Sequence, residues 1–401
     1  MRKDVRADRT YLVYGDAMDV EMRHRVPCDA RGPFMLVHMP DDGDHVVCRA
    51  AQASHVRAGR PDIGVLTLEE LGVERFAMEL RDRRAAELYC YSEACGRLGV
   101  KGVVAVPVSF PAQILDFLRG RGLGVKVDEP FFSFARRAKT AAEFEGVMRA
   151  QRALEHAMAM VSDALGRAVA QDGREERALS LEGEPLTCGR LAEVAAASLR
   201  EQGCLDVNAV VTHGAGVPRI DVPGEGALLQ GEPIVVRLSA ADRSSGCRSC
   251  LIRTFVKGEV GEDVARCHGL VAKAFDRMVA ASKAGAKVQT IRKAAAKVML
   301  GYDDLSAKKA DVAADTEAGM ALVEQSLRTV GHGVGLAAVE APFVDELPGS
   351  LEEGDLVVLE PGCVRGDVGG AVMGRLVRVG AKRGEVLDEC PAGLEPVAMD
   401  R

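Results

Sequence analysis

The stretch Gly331-His332-Gly333-Val334-Gly335-Leu336, with Glu340 and Pro342 behind it, and the stretch Glu353-Gly354-Asp355-Leu356-Val357-Val358-Leu359-Glu360-Pro361-Gly362 decide how this chain is read. The first sets a single imidazole between two glycines. The second is a Gly-Asp turn, four apolar residues that fit a buried strand, and a carboxylate followed by Pro-Gly. A third string, Arg253-Thr254-Phe255, ends an apolar strand that follows the turn at Gly246-Cys247.

Working outward, Thr140-Ala141-Ala142-Glu143 has capping-box spacing, in which the hydroxyl and the Glu each satisfy a free N–H at a helix start. Phe144, Val147, Leu154, Met158, Val161 and Leu165 then fall on one stripe of a helix that runs to about Val169. Further helices are expected over Cys188–Gln202, Glu262–Ser282 and Val288–Met299. Strands are expected over Ala209–Thr212, Ile234–Ser239, Cys250–Val256, Leu356–Leu359 and Leu376–Val379, and Asp303–Asp315 reads as a polar surface loop or helix end. Ahead of Pro130 the pattern is small α/β. Strands Pro33–Met39 and His45–Arg49 flank the turn Asp41–Asp44, and Gly64–Thr67, Val103–Val108 and Val125–Val127 are further strands. They alternate with helices at Arg83–Leu98 and Ala112–Leu118, which predicts a mixed or parallel sheet. The chain is therefore divided into residues 1–130 and 131–401. The basic run Arg136-Arg137-Ala138-Lys139 reads as a solvated turn.

Composition narrows the partners. A net charge of −7 over 401 residues argues against nucleic acid as a ligand. The sequence has no apolar run long enough to span a bilayer, and Met1-Arg2-Lys3-Asp4 does not open a signal peptide. Eleven scattered cysteines, an odd number, suit free thiols in a reducing cytoplasm.

In their order and spacing the three strings resemble the pita-bread metallopeptidases, the family of Xaa-Pro dipeptidase, aminopeptidase P and creatinase. The helix start at Lys139–Glu143 and the closing run Glu385–Pro396 resemble the same family, so the likeness covers about 130–398. It implies an α+β pita-bread catalytic-type domain with pseudo-two-fold halves, preceded by a smaller α/β creatinase-like N-terminal domain. It also implies a homodimer through that smaller domain. Family chemistry uses two divalent cations held by two Asp, one His and two Glu, which activate a bridging water.

Laid on this sequence, the pattern is mostly lost. His332 and Glu360 stand where two of the ligands belong and are expected to be vestigial. The first Asp position holds Arg237, the second Cys250, three residues before the signature Arg253, and the strand that should carry the second Glu runs through Gly374. The accessory histidine positions hold Arg219, Arg328 and Val339. One His and one Glu cannot balance two dications, and hard cations require oxygen donors. Arg237 is expected to pair inward with Glu360 in place of metal. The expectation is a non-catalytic family member with no cofactor, whose cleft, rich in arginine (Arg219, Arg237, Arg248, Arg328 and Arg375), binds a peptide or protein bearing carboxylates. No catalytic residue is assigned. The alternatives are an active Xaa-Pro peptidase with a rebuilt Mn, Co or Zn site and a purely structural subunit. Two local variants of the chemistry are a Zn site at Cys247, Cys250 and His332, or a Cys250 nucleophile with His332 as base.

Overall fold

Short runs rich in apolar residues make strands of Tyr11–Gly15 (β1), Phe34–Met39 (β2), Gly43–Cys48 (β3), Gly64–Thr67 (β4), Val103–Val106 (β5) and Gly124–Val127 (β6). The computed structural model that places them describes residues 9–170, 178–219, 221–299, 330–345, 347–365 and 369–397. The six strands form one sheet in the order β4-β3-β2-β1-β5-β6. Pairs β1–β2 and β2–β3 are antiparallel, and β3–β4, β1–β5 and β5–β6 are parallel, so the sheet is mixed. Because side chains alternate along a strand, Leu12 and Tyr14 enter one core with helices Val73–Leu80 (α3), Arg83–Arg97 (α4) and Ala112–Gly120 (α5). Tyr11 and Val13 enter a second core with Val20–Arg25 (α1) and Ala50–Gly59 (α2). This unit ends at Arg136, in the last turn of Glu129–Arg137 (α6), and the second unit begins at Arg137. Pro130 sits in the first turn of that helix, where its missing N–H leaves no bond unmade.

The capping box forms as its spacing demands: Thr140 Oγ1 accepts from Glu143 N at 3.1 Å, and Glu143 accepts from Thr140 N at 2.7 Å. It opens Ala141–Arg167 (α7). Short strands Val169–Ala170 (β7), Leu179–Leu181 (β8) and Glu184–Pro185 (β9) lead to Cys188–Glu201 (α8). Cys204–His213 (β10), Pro233–Asp242 (β11) and Arg248–Val256 (β12) form an antiparallel sheet whose apolar face shares a core with α7 and α8. The second half repeats the plan with Glu262–Ala281 (α9) and Val288–Met299 (α10). They share a core with a sheet containing Gly331–Gly333 (β13), Glu340–Phe343 (β14) and Leu356–Leu359 (β15), and with the hairpin Gly362–Arg365 (β16) and Gly369–Val372 (β17). Strands Arg375–Val379 (β18) and Gly384–Val386 (β19) complete that sheet. Two helices over an antiparallel sheet, twice, give the pseudo-two-fold α+β arrangement. The expected loop Asp303–Asp315 lies outside the described residues. Among the described residues no helix is long and apolar enough to cross a membrane.

The basic run is not solvated. Arg136 pairs with Glu21 within the first unit, and side-chain exposures are 7% and 6%. In the second unit Arg137 pairs with Asp355 and Lys139 with Glu340, again with all four side chains buried. Carboxylates distant in sequence reverse the expectation, because a paired cation can be buried and an unpaired one cannot.

Candidate functional site

Four side chains from two sheets meet in the second unit. Strands β11 and β12 pair with Arg237 opposite Ile252 and Ser239 opposite Cys250. Paired residues, and residues two apart, share a face, so Arg237, Cys250 and Ile252 look the same way. Arg253 looks the other way, donating from Nη2 to Gly393 O at 2.9 Å and lying over the Phe255 ring. In the other sheet His332 opposes Val358, two residues before Glu360, which brings imidazole and carboxylate to one face. The glycines around His332 are required by close approach. A Cβ on Gly331 would stand 2.5 Å from Val358 O, and one on Gly333 would stand 2.4 Å from Ala341 O.

Glu360 is the hub. Its Oε1 lies 3.7 Å from His332 Nε2, 3.7 Å from Cys250 Sγ and 3.8 Å from Arg237 Nη2. Burial alone would raise the Glu360 carboxyl, but His332, Arg237 and the Cys250 thiol outweigh it and hold the group below its ordinary range. Burial would likewise make His332 less basic, and the adjacent Glu360 more than reverses this. His332 Nδ1 sits 3.0 Å from Gly333 O and donates to it. Nε2 is left buried without a hydrogen-bond partner, because 3.7 Å is an ion-pair approach and too long for a hydrogen bond. On its outer side Arg237 donates from Nη1 to Asp221 Oδ1 at 2.7 Å.

The sequence-derived site residues thus separate into groups. Arg237, Cys250, His332 and Glu360 come together. Gly374 lies beside them, exchanging both backbone hydrogen bonds with Ile252 at 2.9 and 3.0 Å. Arg253 does not face them. The Arg219 side chain and Arg328 lie outside the described residues. Arg248 is engaged by Asp206, and Arg375 by Asp388 at 2.9 Å, so neither adds free positive charge at Glu360. Asp221 was not legible as a site residue, since a loop rather than a motif delivers it. Asp242, the one nearby acid in sequence, is taken by Arg149, Ser244 and Ser245, which hold it at about 2 against the opposing effect of burial.

Cys247 and Cys250 are an odd number of residues apart, and Cys247 packs beside Gly146 of α7 while Cys250 approaches Glu360. They do not form a shared zinc corner. Burial and the neighbouring Glu360 push the Cys250 thiol up to about 12, Arg237 notwithstanding, so it is protonated and a poor nucleophile near neutrality. Native protein at pH 8 is therefore expected to leave Cys250 unmodified by iodoacetamide, with full reaction in urea. Peptide mapping by mass spectrometry reads the result, and rapid native alkylation of Cys250 would contradict the placement.

The overall fold is that of the prolidases and aminopeptidase P. The prolidase of Pyrococcus horikoshii OT3 matches with a TM-score of 0.70 at 14% identity, over 98% of this chain and 96% of that one. The Xaa-Pro dipeptidase of Bacillus anthracis matches at 0.71 and 14%, over 96% and 94%. The dipeptidase PepE of Mycobacterium ulcerans matches at 0.68 and 19%, over 97% and 93%. No curated protein matches the sequence significantly. The model of metallopeptidase family M24 matches residues 145–381, and the chain belongs to that family.

The family implies a two-metal centre, and the residues present do not fit one. A guanidinium, Arg237, and a thiol with a raised pKa, Cys250, stand beside Glu360 at the positions where the resemblance would place two ligands. Any side chain at Gly374 would collide with Ile252, whose Cγ1 would lie 2.7 Å from its Cβ. Among the described residues no group of three or more His, Cys, Asp or Glu is disposed to hold a metal ion.

Proposed function

We propose that this chain is an Xaa-Pro peptidase-like protein that has exchanged catalysis for binding: a pseudopeptidase whose metal-free cleft receives a peptide or protein segment. The observation that carries this reading is the direction of Arg237. Its guanidinium points at Glu360 from a strand position where the family places a carboxylate, so the local positive charge comes from the chain itself. A dication beside that guanidinium would meet repulsion and too few anionic oxygens. The neighbouring imidazole adds no negative charge, and the Cys250 thiol stays protonated.

The test is metal analysis of the purified full chain, alone and after dialysis against Mn²⁺, Co²⁺ and Zn²⁺, together with hydrolysis of an Xaa-Pro dipeptide. The expected result is well under one equivalent of metal and no turnover above buffer with any ion. Two tightly held equivalents together with turnover would overturn the reading in favour of a working peptidase with a rebuilt centre.

A further inference from the structure

Arg237 has two working edges, and they face different surroundings. The inner edge, through Nη2, is directed at Glu360, whose side chain is 12% exposed. The outer edge, through Nη1, is directed at Asp221, which is 78% exposed. One guanidinium thus serves two carboxylates. The inner one is nearly buried and needs a cation, because a buried carboxylate without one is costly. The outer one has no such need, since Asp221 is hydrated whether paired or not. An exposed ion pair of this kind contributes roughly 0–1 kcal/mol.

The outer contact is nevertheless built. Asp221 follows the 3₁₀ turn Gly214–Arg219. The chain just beyond it is tied back where Gly224 N donates to Val211 O of β10 at 2.8 Å. There is no room for a side chain at that tie, since a Cβ on Gly224 would stand 2.8 Å from the same oxygen. The Asp221 carboxylate thus sits 2.7 Å from Arg237 Nη1, and among the described residues Arg237 is the one cation within ion-pair distance of Asp221.

We infer that Asp221 is an internal stand-in for the ligand: the cleft binds a carboxylate group on the outer edge of Arg237, and Asp221 must swing away for it to do so. The inference rests on the non-catalytic reading above and adds the ligand's chemistry and a built-in competitor. A carboxylate from outside arrives with contacts of its own and replaces a weak, solvated pair, while Glu360 keeps the inner edge and the charge of the buried cluster is unchanged. The carboxylate can come from a peptide C-terminus or from an acidic side chain, and both present the same group to the guanidinium.

Calorimetric titration of the full chain with three probes tests this: dialanine, dialanine amide and N-acetylaspartate amide. Dialanine carries a terminal carboxylate, its amide carries none, and the third carries a side-chain carboxylate. Wild-type protein is expected to bind one or both acids and not dialanine amide. Asp221→Ala is expected to bind the same acid about 2- to 5-fold more tightly, the range set by a weak exposed pair. Arg237→Lys keeps the charge that Glu360 needs but loses the forked geometry, and is expected to bind it more weakly. Preference for dialanine over N-acetylaspartate amide assigns the source to a chain terminus, and the reverse preference assigns it to an acidic side chain. Equal affinity of wild type and Asp221→Ala, equal binding of acid and amide, or no binding of any probe to any variant would overturn the inference. Those outcomes leave the non-catalytic reading intact, because that reading falls only on metal content and turnover.

Discussion

Replacing Arg237 with methionine is expected to destabilise the protein by about 2–4 kcal/mol at pH 8, toward the lower end of what breaking a buried pair costs. Methionine preserves much of the stem's volume, so the loss is electrostatic: Glu360 keeps its place behind β15 and loses the guanidinium that holds its charge. The 3.8 Å separation and the 19% exposure of Arg237 set the figure below that of a dry, bidentate pair. His332 gives the loss a pH dependence. Its basicity is raised in the folded state, so whatever it contributes is fully present below the unfolded pKa of about 6.5 and fades as pH rises through the higher folded value. In Arg237→Met the imidazolium becomes the main counter-charge of Glu360. The destabilisation should therefore be smaller at pH 6 than at pH 8. Adding Glu360→Gln removes the orphaned charge, and the double variant should recover about 1–2 kcal/mol relative to the sum of the single changes. Urea unfolding at both pH values measures this, with an unchanged slope required for the comparison. A single variant within about 0.5 kcal/mol of wild type at pH 8, the range of ordinary surface changes, would mean that Glu360 does not depend on Arg237.

Much of this molecule could be read from sequence where local chemistry alone decides the outcome. The helix Val288–Met299 and the strand Leu356–Leu359 have the ends that their apolar spacing and flanking turns require, and the capping box at Thr140 starts α7 where predicted. Strands β13, β14, β16 and β17 carried too little pattern. They are three or four residues long, and in β13, β16 and β17 glycines take up part of that length, so no alternation marks them. The site was half legible for a related reason. His332 and Glu360 sit in motifs, and Arg237 and Cys250 could be placed because strand register carries a position from one residue to its neighbour. Facing is also a matter of parity: Cys250 and Arg253 stand three apart on one strand and so look in opposite directions, which separates Arg253 from the cluster. Apart from Arg237 with Glu360, which the family pattern brought together, pairings between residues distant in sequence were not legible. Nothing local to Arg237 announces Asp221, and nothing near Lys139 announces Glu340. A charged residue's fate depends on what the fold brings opposite it, and that is known only when the sheets are in place.

Arg137 and Asp355 carry the second large expected effect, for the same physical reason but in a drier setting. Asp355 is fully buried and accepts three hydrogen bonds: from Arg137 Nε at 2.9 Å, from Arg137 Nη2 at 2.6 Å and from Glu352 N at 2.6 Å. The aspartate of the Glu353-Gly354-Asp355 turn therefore fastens the entry to β15, the strand that leads directly to Glu360, to the residue at the start of the second unit. Asp355→Asn is nearly isosteric, yet it takes from a buried guanidinium its buried, bidentate counter-ion, leaving the half-exposed Glu352 carboxylate at 3.7 Å, and sets an amide NH₂ among donors. The expected cost is about 3–5 kcal/mol, which for a unit of this size lowers the melting temperature by roughly 6–20 °C. If the pair acts only through its charges, removing both should be better tolerated than removing one, so Arg137→Met with Asp355→Leu should recover much of the loss. Because the turn also positions Glu360, the recovered protein need not recover the cleft. Carboxylate binding by the double variant, measured beside its unfolding midpoint, separates the two contributions. A midpoint near wild type with weakened binding would assign the buried pair to the geometry of Glu360, whereas joint recovery would assign it to stability alone. An Asp355→Asn protein as stable as wild type would refute the pairing itself.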